Sequence, residues 1–324
     1  MKAAVIFNKG GIPQYADVPA PVAQNDDEIL ISVKAAAIKH FDKSRSAGKH
    51  YSATEADKQN AKVIGGDGVG LLADGTRVFA LGLSGMIAEK AVIEKNRIVK
   101  LPGGIDDAIA AALPNAVAGS AMALRFRAGM KPGETVLING ATGFTGKIAV
   151  QVAKHYGAKK IIVTGRNDET LHALLALGAD EVISVKQDDE QFVSQLRAIH
   201  NSTPLDVVID YLWGHTAELI LAALKGKGAF THKTRFVSIG AVTGDTILLS
   251  AEVLRSVDLQ LSGSGIGSWT REEMALLFSE ILPEMFQLVA GNKLKVDVVK
   301  VKLEDIEKLW DMEVPDGRRL VVSI

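Results

Sequence analysis

Glycines at 140, 143 and 146 sit between an apolar run at 135–139 and an amphipathic stretch at 147–156. A strand that breaks into such a turn and then enters a helix can hold a pyrophosphate. One glycine permits the tight turn, one lets the backbone approach the phosphates, and one lets the helix pack closely on the strand. The helix beginning near Phe144 aims its free N–H groups and the positive end of its dipole at the anion. The candidate phosphate-binding residues are Gly140, Ala141, Thr142, Gly143, Phe144 and Thr145. A second strand at 160–164 closes on Gly165, Arg166 and Asn167. Binders of NAD place a carboxylate there, which accepts from the ribose hydroxyls. Arg166 instead suits a 2′-phosphate, which it can pair bidentately, and no carboxylate follows until Asp168. The alternative is an exposed arginine that merely solvates a loop. The first reading predicts NADP(H) as cofactor and a redox reaction as the chemistry.

The groups open to that chemistry are limited. The chain has no cysteine, which excludes disulfides, thiolate nucleophiles and cysteine-bound metals. Its seven histidines, at 40, 50, 155, 172, 200, 215 and 232, form no pair spaced as metal ligands, so no metal site is expected. A formal net charge of −1 gives no electrostatic argument for nucleic acid or an anionic membrane. No apolar run approaches the length needed to span a bilayer, and residues 1–7 are too short and turn polar too soon for a signal peptide, which points to the cytoplasm.

The elements that must position these residues alternate strand and helix from 135 to about 261. Strands are expected at 135–139, 160–164, 181–185, 206–210, 235–239 and 259–261, most of them rich in Val and Ile with little alternation. Strands of that kind are covered on both faces, as in a parallel sheet. Helices at 147–156, 168–177, 188–200 and 214–225 complete a right-handed, doubly wound sheet, so the fold class is α/β. The first 115 or so residues read as strands at 2–8, 28–37, 63–73, 76–81 and 86–93, joined by Gly, Pro, Asp and Asn. A long helix at 271–289, bent near Pro283, precedes a strand, helix and strand at 295–301, 303–312 and 318–324. This tail is too small to be a domain and returns to the N-terminal β-rich part.

With these elements in place, nearly the whole chain, and most strongly residues 113–185, resembles the medium-chain dehydrogenase/reductase superfamily, and more closely its zinc-free quinone oxidoreductase branch. The resemblance is carried by Leu113-Pro114-Asn115, Gly129-Met130-Lys131-Pro132-Gly133-Glu134, the glycine turn, Ala153-Lys154 and Ala176-Leu177-Gly178-Ala179-Asp180-Glu181-Val182-Ile183. It implies a Rossmann NADP-binding domain, 119–255, inserted in a GroES-like β-rich catalytic domain, 1–118 with 256–324. Against the zinc-containing members, Lys39 stands at the cysteine ligand, Phe41 at the relay hydroxyl and Gly66 at the histidine ligand, and the four-cysteine lobe is missing. The chain also departs from the zinc-free branch. Lys39-His40 replaces Asn-Pro, the polar loop 51–62 is longer, and the segment 67–76 is abbreviated.

The chemistry expected is NADPH-dependent, metal-independent reduction of a quinone or an α,β-unsaturated carbonyl, in which the developing oxyanion is delocalised. Lys39, His40 and Tyr51 are the candidate donors near the nicotinamide. Lys39 either stabilises an enolate or is a surface residue at a strand end; His40 either protonates a product or is a satisfied polar side chain. Asp42 and Asp67 suit the holding of loops through backbone amides. Gly240 and Ala241, and Gly263, Ser264 and Gly265, follow strands near the expected nicotinamide; close backbone approach and ordinary turns both account for their glycines. The alternatives to an enzyme are a cofactor-binding sensor or scaffold that does not turn over, and a membrane-associated partner protein. Residues 255–261 alternate polar and apolar side chains and form the expected edge strand of a homodimer, with a capped monomer edge as the alternative.

Overall fold

The computed structural model describes residues 1–53, 61–228 and 231–324. The chain forms two compact units: Met1–Pro114 with Met274–Ile324, and Asn115–Glu273. In chain order the first unit opens with β1 (Lys2–Ile6), β2 (Gln14–Asp17), β3 (Glu28–Ala37), α1 (His40–Ser46), β4 (Lys62–Val63), β5 (Asp67–Leu71), β6 (Arg77–Gly82) and β7 (Lys90–Lys100). Helix α2 (Asp107–Met122) leads into the second unit. There follow β8 (Thr135–Asn139), α3 (Phe144–His155), β9 (Lys160–Gly165), α4 (Asp168–Ala173), β10 (Glu181–Ser184), α5 (Asp189–Ser202), β11 (Val207–Asp210), α6 (Gly214–Leu224), β12 (Thr234–Ser238), α7 (Ala251–Ser256), β13 (Leu259–Gly263) and α8 (Arg271–Leu276). The chain then returns to the first unit with α9 (Leu282–Ala290), β14 (Val298–Lys302), α10 (Ile306–Leu309) and β15 (Arg319–Ser323).

In the first unit, β3 alternates as its sequence does: Ile31 and Val33 are buried, while Ser32 and Lys34 face out. It lies in a sheet ordered β14-β15-β3-β5-β6-β7 and pairs additionally with β7. That pairing closes β3, β5, β6 and β7 into a ring and removes two exposed edges. Ile31, Val33, Val78, Met86 and Ile93 form its core with Ile306 and Trp310. The strand expected at 86–93 starts later, at Lys90, and runs on to Lys100. Residues 86–88 instead bond across to the N-terminal strand and its neighbour: Ala4 N donates to Ile87 O, and Met86 N to Gly65 O. The helix expected at 303–312 shortens to a 3-10 turn and the four residues of α10.

The second unit holds six parallel strands in the order β10-β9-β8-β11-β12-β13. All five residues of β8 and all four of β11 are buried, as strands covered on both faces must be. The strand order reverses between β8 and β11, so the crevice of this unit lies at the carboxyl ends of those strands. The boundary expected at 255/256 lies instead at Glu273/Met274. The reason is β13, whose residues Leu259 to Gly263 are hydrogen-bonded in register with Thr234 to Ser238 of β12. The expected edge strand 255–261 is corrected in the same way: residues through Ser256 are helical, and the edge strand is Leu259–Gly263.

One further expectation is corrected. The helix Asp107–Arg127, with a mean hydropathy of 1.3, is long and apolar enough to cross a membrane by length and composition. In the structure 72 % of that window is buried within the protein. The bend near Pro283 is a π turn at Leu277–Ile281, after which Pro283 lies in the first turn of α9, where its missing N–H costs no helical bond.

Gly146 sets the approach of α3 to β8. A Cβ there would come within 2.5 Å of the Ala141 carbonyl oxygen and collide with backbone that cannot move aside. Gly146→Ala is expected to lower stability by about 1–3 kcal/mol, read from urea unfolding of the purified protein.

Candidate functional site

The turn after β8 is held from behind by buried polar groups. Asn139 and Asp210, at the ends of neighbouring strands, are fully buried. Asn139 Nδ2 donates to Asp210 Oδ1 at 2.7 Å, and Thr164 Oγ1 at the end of β9 donates to Asn139 Oδ1 at 2.6 Å. The same threonine accepts from Gly140 N at 3.1 Å, and its carbonyl accepts from Ala141 N at 2.9 Å. Asp210 also accepts from Leu212 N and Trp213 N. Burial pushes the Asp210 carboxyl up, against the pull of those donors.

Gly140 has φ +83, and a Cβ there would meet the Leu212 side chain at 2.7 Å, so only glycine fits this turn. Gly143 caps α3 and offers no side chain to its first-turn amides. A Cβ on Gly143 would face open space. An uncapped helix start of this kind is a ready anion site. Thr142 and Thr145 are half-buried, whereas Ala141 and the Phe144 side chain are buried, so at those two positions only backbone can serve. A Cβ on Gly165 would run into the Thr142 side chain, which explains the glycine that ends β9.

Arg166 is exposed and, among the described residues, has no hydrogen bond or ion pair. Asn167 is committed elsewhere: its Oδ1 accepts from Thr170 N at 2.9 Å and caps α4. The nearby Asp168 carboxylate is already bound by Ser184 Oγ at 2.8 Å and Lys186 Nζ at 3.5 Å, and these partners hold it below the usual carboxylate range. Ser184 lies opposite Gly165 in the β9–β10 register. Lys186, two residues beyond Ser184, therefore adds a cation just past the strand that pairs with β9, one that the sequence reading missed. Its signal was a basic residue two positions beyond the third strand.

The remaining cofactor candidates lie at the same carboxyl edge. Gly240 and Ala241 follow β12, and a Cβ on Gly240 would sit 2.7 Å from the Tyr211 carbonyl oxygen. Gly263 ends β13; Ser264 Oγ accepts from the Trp269 indole at 3.0 Å; Gly265 N donates to Ser268 Oγ. Their side chains and turns are thus satisfied within the unit.

The first unit places Lys39 where the sequence reading did not. It is 1 % exposed, at the end of β3 and the start of α1. Its Nζ lies 2.6 Å from Asp67 Oδ1 and 3.1 Å from Asp42 Oδ2. Burial opposes the charge, but Asp42 and Asp67 outweigh it and hold the ammonium above the ordinary lysine value. Burial also pushes Asp67 up, with Lys39 pulling against it. Asp42 accepts from the backbone N of Lys39 and of Gly66. The half-buried Arg319, at the start of β15, reaches the Ile38 carbonyl, and desolvation lowers it to about 10 against the pull of the two aspartates. Lys39 is neither a surface residue nor an unengaged donor. His40 is exposed beside it. The Tyr51 ring is 70 % exposed and stacks on His50 at 4.3 Å; His50 in turn meets Phe41 edge-on at 4.9 Å. Most of the polar loop 51–62 lies outside the described residues.

Residues 145–282 match the family described as zinc-binding dehydrogenase. The chain is 25 % identical to the probable NADPH-dependent quinone reductase tdiC of Emericella nidulans, over 96 % of both proteins. It is 26 % identical to the quinone oxidoreductase of Homo sapiens, over 84 % of this chain and 82 % of that protein. Among solved structures, the quinone oxidoreductase from Thermus thermophilus, also determined in complex with NADPH, aligns over all of both chains at 27 % identity with a TM-score of 0.79. These matches support the medium-chain dehydrogenase/reductase superfamily and, within it, the quinone oxidoreductase branch.

In the resemblance read from the sequence Lys39 stands at a zinc-ligand cysteine; the structure sets its ammonium between two carboxylates. The matched residues 145–282 include neither Lys39 nor Gly66. The cluster is a neutralised knot, since removing the ammonium leaves two close carboxylates buried together. One of them must then take up a proton on folding, with a pKa above the unfolded value of about 3.9. The folded state then binds more protons than the unfolded one, so stability falls as pH rises. Lys39→Met is expected to cost about 3–5 kcal/mol near neutral pH. Urea unfolding at about pH 5 and about pH 8 should show part of that loss regained at the lower pH, with a steeper slope than the parent protein.

Proposed function

We propose that this chain is a metal-independent reductase that passes hydride from NADPH to quinones or α,β-unsaturated carbonyls. One observation carries the reading: the uncapped start of α3, with Gly143 open to solvent, sits beside a strand end where Arg166 is, among the described residues, an unpaired cation. These residues fit a phosphorylated dinucleotide. In this reading the α3 amides take the pyrophosphate, and Arg166 and Lys186 select the 2′-phosphate. The Asn139–Thr164–Asp210 network keeps the turn in shape between turnovers. When bound, NADPH supplies the hydride.

A quinone or enone suits this chain because the acceptor spreads its own developing negative charge. Only modest hydrogen bonding is then required of the protein. His40 and Tyr51, both exposed, keep the donor roles proposed for them, whereas Lys39 is held in its ion cluster and positions α1 beneath them. The quinone oxidoreductases similar to this chain support the acceptor class. The same reading keeps the protein in the cytoplasm and makes it a homodimer through the free edge of β13.

Purified protein with NADPH should consume the cofactor when a simple quinone or enone is added, followed by loss of reduced-nicotinamide absorbance. Cofactor binding without turnover on either acceptor class would replace the reductase with a sensor. Arg166→Ala should weaken NADPH binding by about 10- to 100-fold and leave NADH binding unchanged, measured by calorimetric titration of both cofactors.

A further inference from the structure

Tyr211 follows β11 at the carboxyl edge of the parallel sheet, directly after the buried Asp210. Its residue is 8 % exposed. Its hydroxyl oxygen is buried and has no hydrogen-bond partner among the described residues. Buried tyrosine hydroxyls ordinarily find a partner, and a phenylalanine would fill the same space without losing hydration. Burial also pushes the phenol up, so the group is a neutral O–H donor at physiological pH.

The surroundings of the ring say where that donor belongs. A Cβ on Gly119 would touch Tyr211 Cε1 at 3.8 Å, Thr145 Cγ2 at 3.6 Å and Ile239 Cγ2 at 3.6 Å. Thr145 is in the first turn of α3, and Ile239 leads from β12 into Gly240. Tyr211 therefore stands among the elements that form the dinucleotide crevice. Its place in the strand order gives the side of the crevice. β9, which ends beside Arg166, serves the adenosine end, and β8 with α3 serves the pyrophosphate. β11 and β12 lie beyond them, on the nicotinamide side.

We propose that the Tyr211 hydroxyl donates a hydrogen bond to the nicotinamide-riboside half of bound NADP(H), at a ribose oxygen or the carboxamide oxygen. This rests on the cofactor reading above. It makes Tyr211 a residue left unsatisfied in the free protein and completed by the ligand. The residue is thereby separated from Arg166, which acts on the opposite end of the same molecule.

The test is calorimetric titration of the parent protein and Tyr211→Phe with NADPH and with 2′,5′-ADP, which lacks the nicotinamide half, together with thermal unfolding of both free proteins. Tyr211→Phe is expected to raise the Kd for NADPH by about 3- to 10-fold. The Kd for 2′,5′-ADP should stay unchanged, and the Tm of the free variant should equal or exceed that of the parent. Equal NADPH affinity in the two proteins overturns the inference. So does an equal loss for both ligands, or a fall in the Tm of the free variant, since either would make the hydroxyl a part of the fold. A parent protein that binds no NADPH overturns the cofactor reading and this inference together.

Discussion

The hydrogen bond between Asn139 and Asp210 ties the two strands between which the sheet reverses its order. Everything assigned to the cofactor hangs from it. Two central parallel strands would otherwise end in carbonyls, amides and a carboxylate turned toward a crevice with no fixed arrangement. Thr164 extends the tie to β9 and at the same time holds the amides of Gly140 and Ala141. The turn is thus shaped by side chains behind it, which leaves the backbone in front of it available. A buried network of this kind stabilises a fold only when every member is satisfied. Asn139, Thr164 and Asp210 all find partners, and burial raises the Asp210 carboxyl against the pull of its donors.

The same edge carries backbone strain. Trp213 has φ +58 and is followed by Gly214 at φ +56. A non-glycine residue in that region costs of order 1–3 kcal/mol and persists only where its surroundings over-determine it. Asp210 supplies one constraint by accepting from Trp213 N, and the ring packs edge-on against Phe236 at 6.2 Å. The geometry that sends the chain away from β11 thus depends on the carboxylate that fastens β11 to β8.

The second unit was legible in the sequence because its signals are local. Val- and Ile-rich strands, glycine stops and the spacing 140-143-146 each act over a few residues. What was not legible depends on pairing at a distance. Residues 86–88 read as part of a strand, yet their hydrogen bonds go to Ala4 and to the 64–65 backbone. The segment 255–261 alternates like a strand, but Ser250 accepts from Glu252 N and starts a helix that runs to Ser256. Lys39 is the clearest case. A lysine at a strand end reads as exposed, and only the arrival of Asp67 from β5, at 2.6 Å, offsets the cost of its burial. Lys186 escaped for a related reason, since its place just past the strand beside β9 comes from the β9–β10 register and not from the chain between them.

The lysine cluster also constrains the proposed chemistry. An ammonium wrapped by Asp42 and Asp67 is a cation whose field is spent on its own neighbours, so it offers little to an oxygen outside the cluster. Arg319 beside it is drawn into the same balance, its guanidinium lowered by desolvation. Positive charge in this part of the chain therefore goes into fixing α1 and the start of β5. An acceptor that needed strong polarisation, such as a simple ketone, would find no unengaged ammonium in the Lys39 cluster among the described residues. A quinone or enone needs less, because its conjugation carries the charge that the protein does not. The proposed choice of a conjugated acceptor thus rests on the ion pairs that make Lys39 structural.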